Sequence, residues 1–186
     1  MTMKKNAFGI SDHILITDNR GMKDFGGKYM REVNVQLAGL RKDGAEIIWD
    51  RHFFRKIILA LESARKADEK FQVHCAVIVL SAKDAGFQPS VLRELVDTIK
   101  DMTGRPPVVV VTHKNSVANP SALETLKVSL VDNKIEYVHV LENYTVKDHV
   151  FDVNKHLELL EALKQCLVVA DRVMCHIEEK GRCVIL

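Results

Sequence analysis

Three strings in this sequence combine residue types and spacing that could carry chemistry. Thr17-Asp18-Asn19-Arg20-Gly21 sets a carboxylate and a glycine three residues apart, directly after an apolar run. A carboxylate is a hard oxygen ligand suited to Mg²⁺, and glycine, lacking Cβ, lets backbone approach a phosphate closely. The same string also suits an Asp/Asn/Gly turn after a strand. Val111-Thr112-His113-Lys114-Asn115-Ser116 closes a second apolar run with a cation and an amide. The last four residues, Cys183-Val184-Ile185-Leu186, have the C-a-a-X form of a prenylation signal, and a terminal Leu favours geranylgeranyl. The other reading of these four is an apolar tail packed on the sheet. Lys180 and Arg182 are offset by Glu178 and Glu179, so no polybasic stretch reinforces the anchor. A single lipid chain binds membranes only marginally and reversibly. Cys175 is a candidate for a second acyl group and equally an ordinary helix residue.

The remaining cysteines and the histidines offer less. Cys75, Cys166, Cys175 and Cys183 make no C-x-x-C pair and no zinc spacing. Cys75 lies in an apolar run and Cys166 in an amphipathic one, so both read as reduced, buried thiols. The eight histidines form no metal constellation; His149 and His156 are seven apart with no carboxylate motif joining them. Composition narrows the class further. The 186 residues are 47% hydrophobic and 28% charged, enough for a core and too ordered in pattern for a disordered chain. Lys plus Arg number 27 against 25 Asp plus Glu, a formal charge of +2, which argues against nucleic-acid binding by bulk electrostatics. No apolar run approaches the roughly 18 residues of a membrane span. The N-terminal MTMKKNAFG has no apolar h-region of a secretory signal. The expected location is cytoplasmic, with peripheral membrane attachment if Cys183 is prenylated.

The elements that must position these residues alternate. Residues 13–17 (HILIT) read as a strand. Residues 27–42 carry Met30, Val33, Leu37 and Leu40 at helical spacing, and residues 51–70 carry Phe54, Ile57, Ile58, Leu61 and Ala64 likewise. Residues 75–80 (CAVIVL) and 108–111 (VVVV) are continuous β-rich apolar runs, the pattern of parallel strands buried on both faces. A helix over 90–102 follows Pro89 and stops at Gly104-Arg105-Pro106-Pro107, and a shorter one over 121–131 follows Pro120. Residues 135–141 read as a further strand. Residues 153–179 read as a long helix with Val153, Leu157, Leu160, Leu163, Leu167, Met174 and Ile177 on its core stripe. This alternation predicts an α/β fold, a parallel sheet with right-handed crossovers and helices on both faces. Ligands of such sheets sit at the carboxyl ends of the strands, where all but the last of the strings above fall.

At those ends the sequence resembles a P-loop GTPase, a Ras-like G domain. Asp18-x-x-Gly21 after the first strand resembles the switch-II motif, whose Asp orders Mg²⁺ and whose Gly amide meets the γ-phosphate. Thr112-His113-Lys114-Asn115 resembles the guanine-specificity motif N-K-x-D or T-x-[KR]-D. Lys114 fits it, but Asn115 stands where the family has Asp. An amide offers one donor and one acceptor where guanine presents two donors, so guanine binding is weakened and a base with a carbonyl at that edge is favoured. A plain strand-to-loop turn explains the string equally well. Leu141-Glu142-Asn143-Tyr144-Thr145 occupies the loop that touches the base edge in that family. The E-N-Y-[ST] string before a long helix resembles the interferon-induced protein 44 group of GTPase-like proteins. The order of elements matches the C-terminal two-thirds of a Ras-like domain and covers about residues 13–179.

The phosphate-binding loop G-x-x-x-x-G-K-[ST] has no match. The nearest string, Gly21-Met22-Lys23-Asp24-Phe25-Gly26-Gly27-Lys28-Tyr29, places its Lys one position late and has Tyr29 where a hydroxyl would meet Mg²⁺. The resemblance therefore implies a P-loop-NTPase-like sheet missing its N-terminal strand–P-loop–helix–strand part. In the Ras-like sheet the first strand lies between the third and fourth, so its loss leaves two strand edges facing a gap. Three outcomes are open: a truncated chain, a gap filled by a protein partner or second copy, or a degenerate domain that closes without the strand. The expected organisation is an N-terminal extension over 1–12, a partial GTPase-like domain over 13–179 and a tail over 180–186 with the lipidation signal at Cys183. The expected nucleotide contacts are Asp18, Gly21, Thr112, Lys114, Asn115 and Asn143, with Asp18 toward Mg²⁺ and GTP or GDP as ligand. No hydrolysis by this chain alone is expected, because nothing stabilises the transferred phosphoryl group. The alternatives are a pseudo-GTPase that binds proteins and no nucleotide, and an unrelated small-molecule enzyme with Asp18 or Asp84 as base.

Overall fold

The structure is a computed structural model that describes residues 5–18, 27–41, 44, 72–83, 89–116, 120–145 and 148–183. The helix expected over 51–70, Gly21 and Asp84 lie outside the described residues. The chain forms two compact units, Met1–Val73 and His74–Leu186.

In the first unit, β1 (Asn6–Ser11) and β2 (Ile14–Asp18) form an antiparallel hairpin. Phe8 faces Ile16 and Gly9 faces Leu15, and the register shifts between Gly9 and Ser11. The strand expected over 13–17 is therefore present one residue later. Its partner lies in the segment read as an extension, and the pairing is antiparallel rather than part of the parallel sheet. A two-residue connection, Asp12 and His13, allows only that direction. Helix α1 (Gly27–Leu37) ends where its backbone turns left-handed at Gly39, with φ of 72°. Gly39 N–H donates to Gln36 O (3.1 Å) and Leu40 N–H to Val35 O (3.0 Å), a Schellman stop that glycine accommodates without Cβ strain. Met30, Val35 and Leu37 are buried, and so are Glu32 and Arg41. Those two charges pair through Arg41 Nε to Glu32 Oε1 (2.9 Å) and Nη2 to Oε2 (2.8 Å), and Gln36 Nε2 donates to the same Oε1 at 3.1 Å. Burial of an ion is costly unless paired and hydrogen-bonded, and this carboxylate accepts three bonds.

The second unit is built on a three-stranded parallel sheet in the order β3 (Val77–Ser81), β4 (Val108–Thr112), β5 (Tyr137–Val140). Val77 pairs with Val108 and Val108 with Tyr137, and the registers run without a shift to Ser81–Thr112 and Val111–Val140. The central strand is buried as its VVVV run requires: Val108, Val109 and Val111 are fully inaccessible. β3 departs from the expectation of burial on both faces. Ile78 and Leu80 are buried, but Val77 is 46% and Val79 64% exposed. Among the described residues it is an edge strand, and the face that carries Val77 and Val79 is exposed.

Helix α2 (Pro89–Thr103) and helix α3 (Pro120–Asp132) both begin at a proline, whose missing N–H costs nothing in a first turn. Leu92, Leu95, Val96 and Ile99 make the buried stripe of α2, and Met102 lies outside it. α3 ends in another Schellman stop: Lys134 N–H donates to Val131 O (2.8 Å) and Ile135 N–H to Leu130 O (3.1 Å). Here the left-handed residue is Lys134, with φ of 61°. Leu130 and Ile135, the two positions that flank such a stop with apolar side chains, are both buried.

Helix α4 (Val153–Cys183) runs four residues past the expected end. Asp152 caps it, its Oδ1 accepting from Asn154 N–H at 2.8 Å and Lys155 N–H at 3.2 Å. The helix buries a different stripe from the expected one. Ala162, Val169 and Val173 are inside, whereas Leu157 and Leu160 are 53% and 57% exposed, and Val153, Leu167 and Met174 are exposed as well. The helical period holds, but the small and β-branched residues are those that let the helix lie close to the strands. Among the described residues, no helix is long and apolar enough to cross a membrane.

Candidate functional site

The carboxyl ends of β4 and β5 bring together most of the residues singled out above. Thr112, the last residue of β4, is buried, and its Oγ1 donates to Leu80 O at 3.1 Å, so the hydroxyl ties β4 to β3. The chain then turns left-handed at His113, with φ of 61°, and enters a 3-10 turn over Lys114–Ser116. That turn presents the backbone N–H of Asn115 to Glu142 just beyond β5, and the N–H donates to Glu142 Oε2 at 2.8 Å. Glu142 is only 8% exposed, so this is a sheltered, charge-assisted bond. It holds the loop after β4 against the loop after β5, next to half-buried Asn143, while Asn115 itself is exposed.

Lys114 is committed elsewhere. Its Nζ forms an ion pair with Glu158 Oε1 on the second turn of α4, and both side chains are about three-quarters buried. Glu158 Oε2 is buried and has no hydrogen-bond partner. Lys114, Glu142 and Glu158 thus meet at this end of the sheet, and both carboxylates are engaged by the loop that follows β4.

The α4 end of this region is braced separately. Tyr144 Oη accepts from Asp152 N–H (3.0 Å) and lies 2.6 Å from His156 Nδ1. Lys155 Nζ pairs with Asp148 and sits 5.3 Å from the centre of the Tyr144 ring. Asp148 holds the Lys155 ammonium above its usual range. These contacts fix the start of α4, and with it Glu158, relative to the loop after β5.

Thr112, Lys114, Asn115 and Asn143 therefore share one edge of the second unit. Asp18 ends β2 in the first unit, exposed and paired across the hairpin with Asn6. Gly21 lies outside the described residues, as do residues 184–186; of the lipidation motif only the Cys183 backbone is described, at the last position of α4. Among the described residues, no group of three or more His, Cys, Asp or Glu side chains could hold a metal ion. Sequence reasoning gives no role to Glu142 or Glu158. Glu158 becomes findable once the right stripe of α4 is taken, since it lies four residues before buried Ala162 and is the carboxylate on that line.

The class these observations define is a mixed α/β protein with a three-stranded parallel sheet flanked by helices. No family model, no curated protein and no solved structure matches the chain.

Proposed function

We propose that this chain is a degenerate GTP-binding-protein-like domain, not catalytic by itself, that acts as an interaction module without bound nucleotide. The observation that carries this reading is the occupied base end: Lys114 is paired with Glu158 and the Asn115 amide with Glu142. In the family that the sequence resembles, the lysine stem lies over the base and a carboxylate follows it. Here the lysine is drawn to α4, and the position that would supply the carboxylate is Asn115. Opening this arrangement for a base means giving up a partly buried ion pair, and separating such charges leaves each without its partner.

The strand order supports the relationship to a G domain. β3, β4 and β5 are parallel in chain order, and the strand that carries Asp18 belongs to a separate hairpin. A Ras-like sheet without its first strand would break at that point. A protein partner, or a second copy of the chain, would then be what covers the exposed valines of β3.

The test is titration of the full chain with a fluorescent guanine nucleotide in the presence of Mg²⁺. Binding no tighter than about millimolar is expected, a free energy of roughly 4 kcal/mol. Micromolar binding that is lost in Lys114→Ala overturns the nucleotide-free reading and restores Asp18, Gly21, Thr112, Lys114, Asn115 and Asn143 as a GTP or GDP site.

Attachment to the cytoplasmic face of a membrane through a prenylated Cys183 is a separate part of the proposal, supported by the terminal C-a-a-X string. Fractionation of cells that prenylate should find the wild-type chain with membranes and Cys183→Ser in the supernatant. A wild-type chain found wholly in the supernatant removes the anchor.

A further inference from the structure

Helix α4 has two apolar faces. One is turned to the sheet: Ala162, Val169 and Val173 are buried, and α4 packs against β4 and β5. On the other, Val153, Leu157, Leu160, Leu167 and Met174 are between 41% and 58% exposed. With Lys164 and Asp171, also exposed, they form the series 153, 157, 160, 164, 167, 171, 174, which steps alternately by four and three. At about 100° per residue these positions fall within an arc of about 100°, opposite the buried stripe. Such alternation is the heptad seam of a coiled coil, with Leu157, Lys164 and Asp171 at a and Val153, Leu160, Leu167 and Met174 at d. We propose that this seam pairs α4 with α4 of a second copy of the chain, antiparallel, in a two-fold dimer.

The two charges in the seam select the occupant and its direction. In a parallel pair in register, Lys164 would lie against a second Lys164 and Asp171 against a second Asp171, and like charges so placed repel. In the antiparallel pair, a positions face d positions. The register that overlaps the whole stripe sets Leu157 against the partner's Met174, Leu160 against the partner's Asp171 and Lys164 against the partner's Leu167. Lys164 then lies four residues, about 6 Å, along the axis from the partner's Asp171. Its flexible four-carbon stem spans that distance and covers the partner's Leu167 on the way. The two-fold axis repeats the pair, so the seam charges of both copies are matched. Beside the seam, Glu161 falls next to the partner's Val168 and Leu163 next to the partner's Ala170, so these positions bring no like charges together. Polar residues within a seam cost stability and fix register, and Lys164 and Asp171 do so jointly.

The stripe points away from the sheet, so it is a different surface from the exposed valines of β3, and the inference does not rest on the nucleotide-free reading. The fold of one copy does not need these leucines, because the buried stripe of α4 is the other one. A copy that gave up pairing could therefore lose them without unfolding.

Sedimentation equilibrium of the full chain from about 1 to about 100 μM tests the pairing. The expected mass rises with concentration toward that of two chains and no further. Leu157→Gln/Leu160→Gln should stay a single chain throughout, with the urea midpoint of the wild type at the lowest concentration. Lys164→Asp should weaken the dimer at least about tenfold, and Lys164→Asp/Asp171→Lys should restore it, as only an antiparallel seam allows. Val77→Thr/Val79→Thr should leave the dimer unchanged. The proposal is overturned by a wild-type chain that is monomeric over the whole range, or by a dimer that survives Leu157→Gln/Leu160→Gln. It is equally overturned if Val77→Thr/Val79→Thr dissociates the dimer, or if the double charge exchange associates no better than Lys164→Asp.

Discussion

Replacing Arg41 with alanine is expected to destabilise the first unit by about 3–5 kcal/mol, the cost of leaving a buried charge unpaired. The side chains of Arg41 and Glu32 are 3% and 2% exposed, so the pair is shielded from bulk solvent. The substitution removes two charge-assisted hydrogen bonds, at 2.9 and 2.8 Å, and leaves the carboxylate with Gln36 Nε2 at 3.1 Å. At about 1.5–3 kcal/mol for each bond to a charged group, the two bonds alone account for that range. The pair is not thereby a large net source of stability, because both ions lost their hydration on folding. Glu32→Met/Arg41→Met should therefore cost far less than either single change. Urea denaturation followed by the fluorescence of Trp49, the single tryptophan and a residue within Met1–Val73, reads the effect. An Arg41→Ala change costing under about 1 kcal/mol would show the pair to be no more shielded than a surface ion pair. So would a double variant whose cost equals the sum of the singles.

Lys134→Gly should stabilise the second unit by about 1 kcal/mol, because a side chain at positive φ is strained where glycine is not, and thermal unfolding reads it. Burial lowers the His74 pKa below the usual 6.5, so the unfolded chain takes up the proton first as pH falls. Its contribution is complete above about pH 6.5 and is lost as pH falls through the folded value; His74→Gln should flatten the urea midpoint between neutral pH and about pH 5. Glu142→Gln should weaken the bond from Asn115 N–H by about 1 kcal/mol, and hydrogen exchange at that amide should quicken. Ala162→Leu should cost about 1–3 kcal/mol through overpacking between α4 and the strands, while Leu157→Gln on the outer face should change stability by less than about 0.5 kcal/mol; urea midpoints of the two variants compare them directly.

The parallel sheet was legible because its central strand is an unbroken run of valines that nothing but a doubly covered position explains. The starts of α2 and α3 were legible for an equally local reason, a proline at the first helical position. β1 was harder to see. Its two large apolar residues, Phe8 and Ile10, are separated by Gly9, and what makes it a strand is pairing with β2 rather than its own propensity. The inner face of α4 was not legible from hydrophobicity. The leucines repeat cleanly, but where helix and sheet come close, the residues that fit are Ala162, Val169 and Val173. At the candidate site, Lys114 and Asn115 could be picked out by their place after a buried strand. Their partners Glu158 and Glu142 lie 44 and 27 residues from the groups they bind, at separations that no local pattern encodes.

The inverted stripe of α4 also sets which substitutions the helix can accept. In an ordinary amphipathic helix the large apolar residues are the intolerant ones. Here intolerance should be concentrated at Ala162, Val169 and Val173, whose small size sets how closely α4 approaches the strands, while Leu157 and Leu160 are free to drift toward polar types. Divergent copies of this chain would then keep their small residues and lose their leucines, so that a plot of hydropathy along α4 would look least like its ancestor where the fold had changed least.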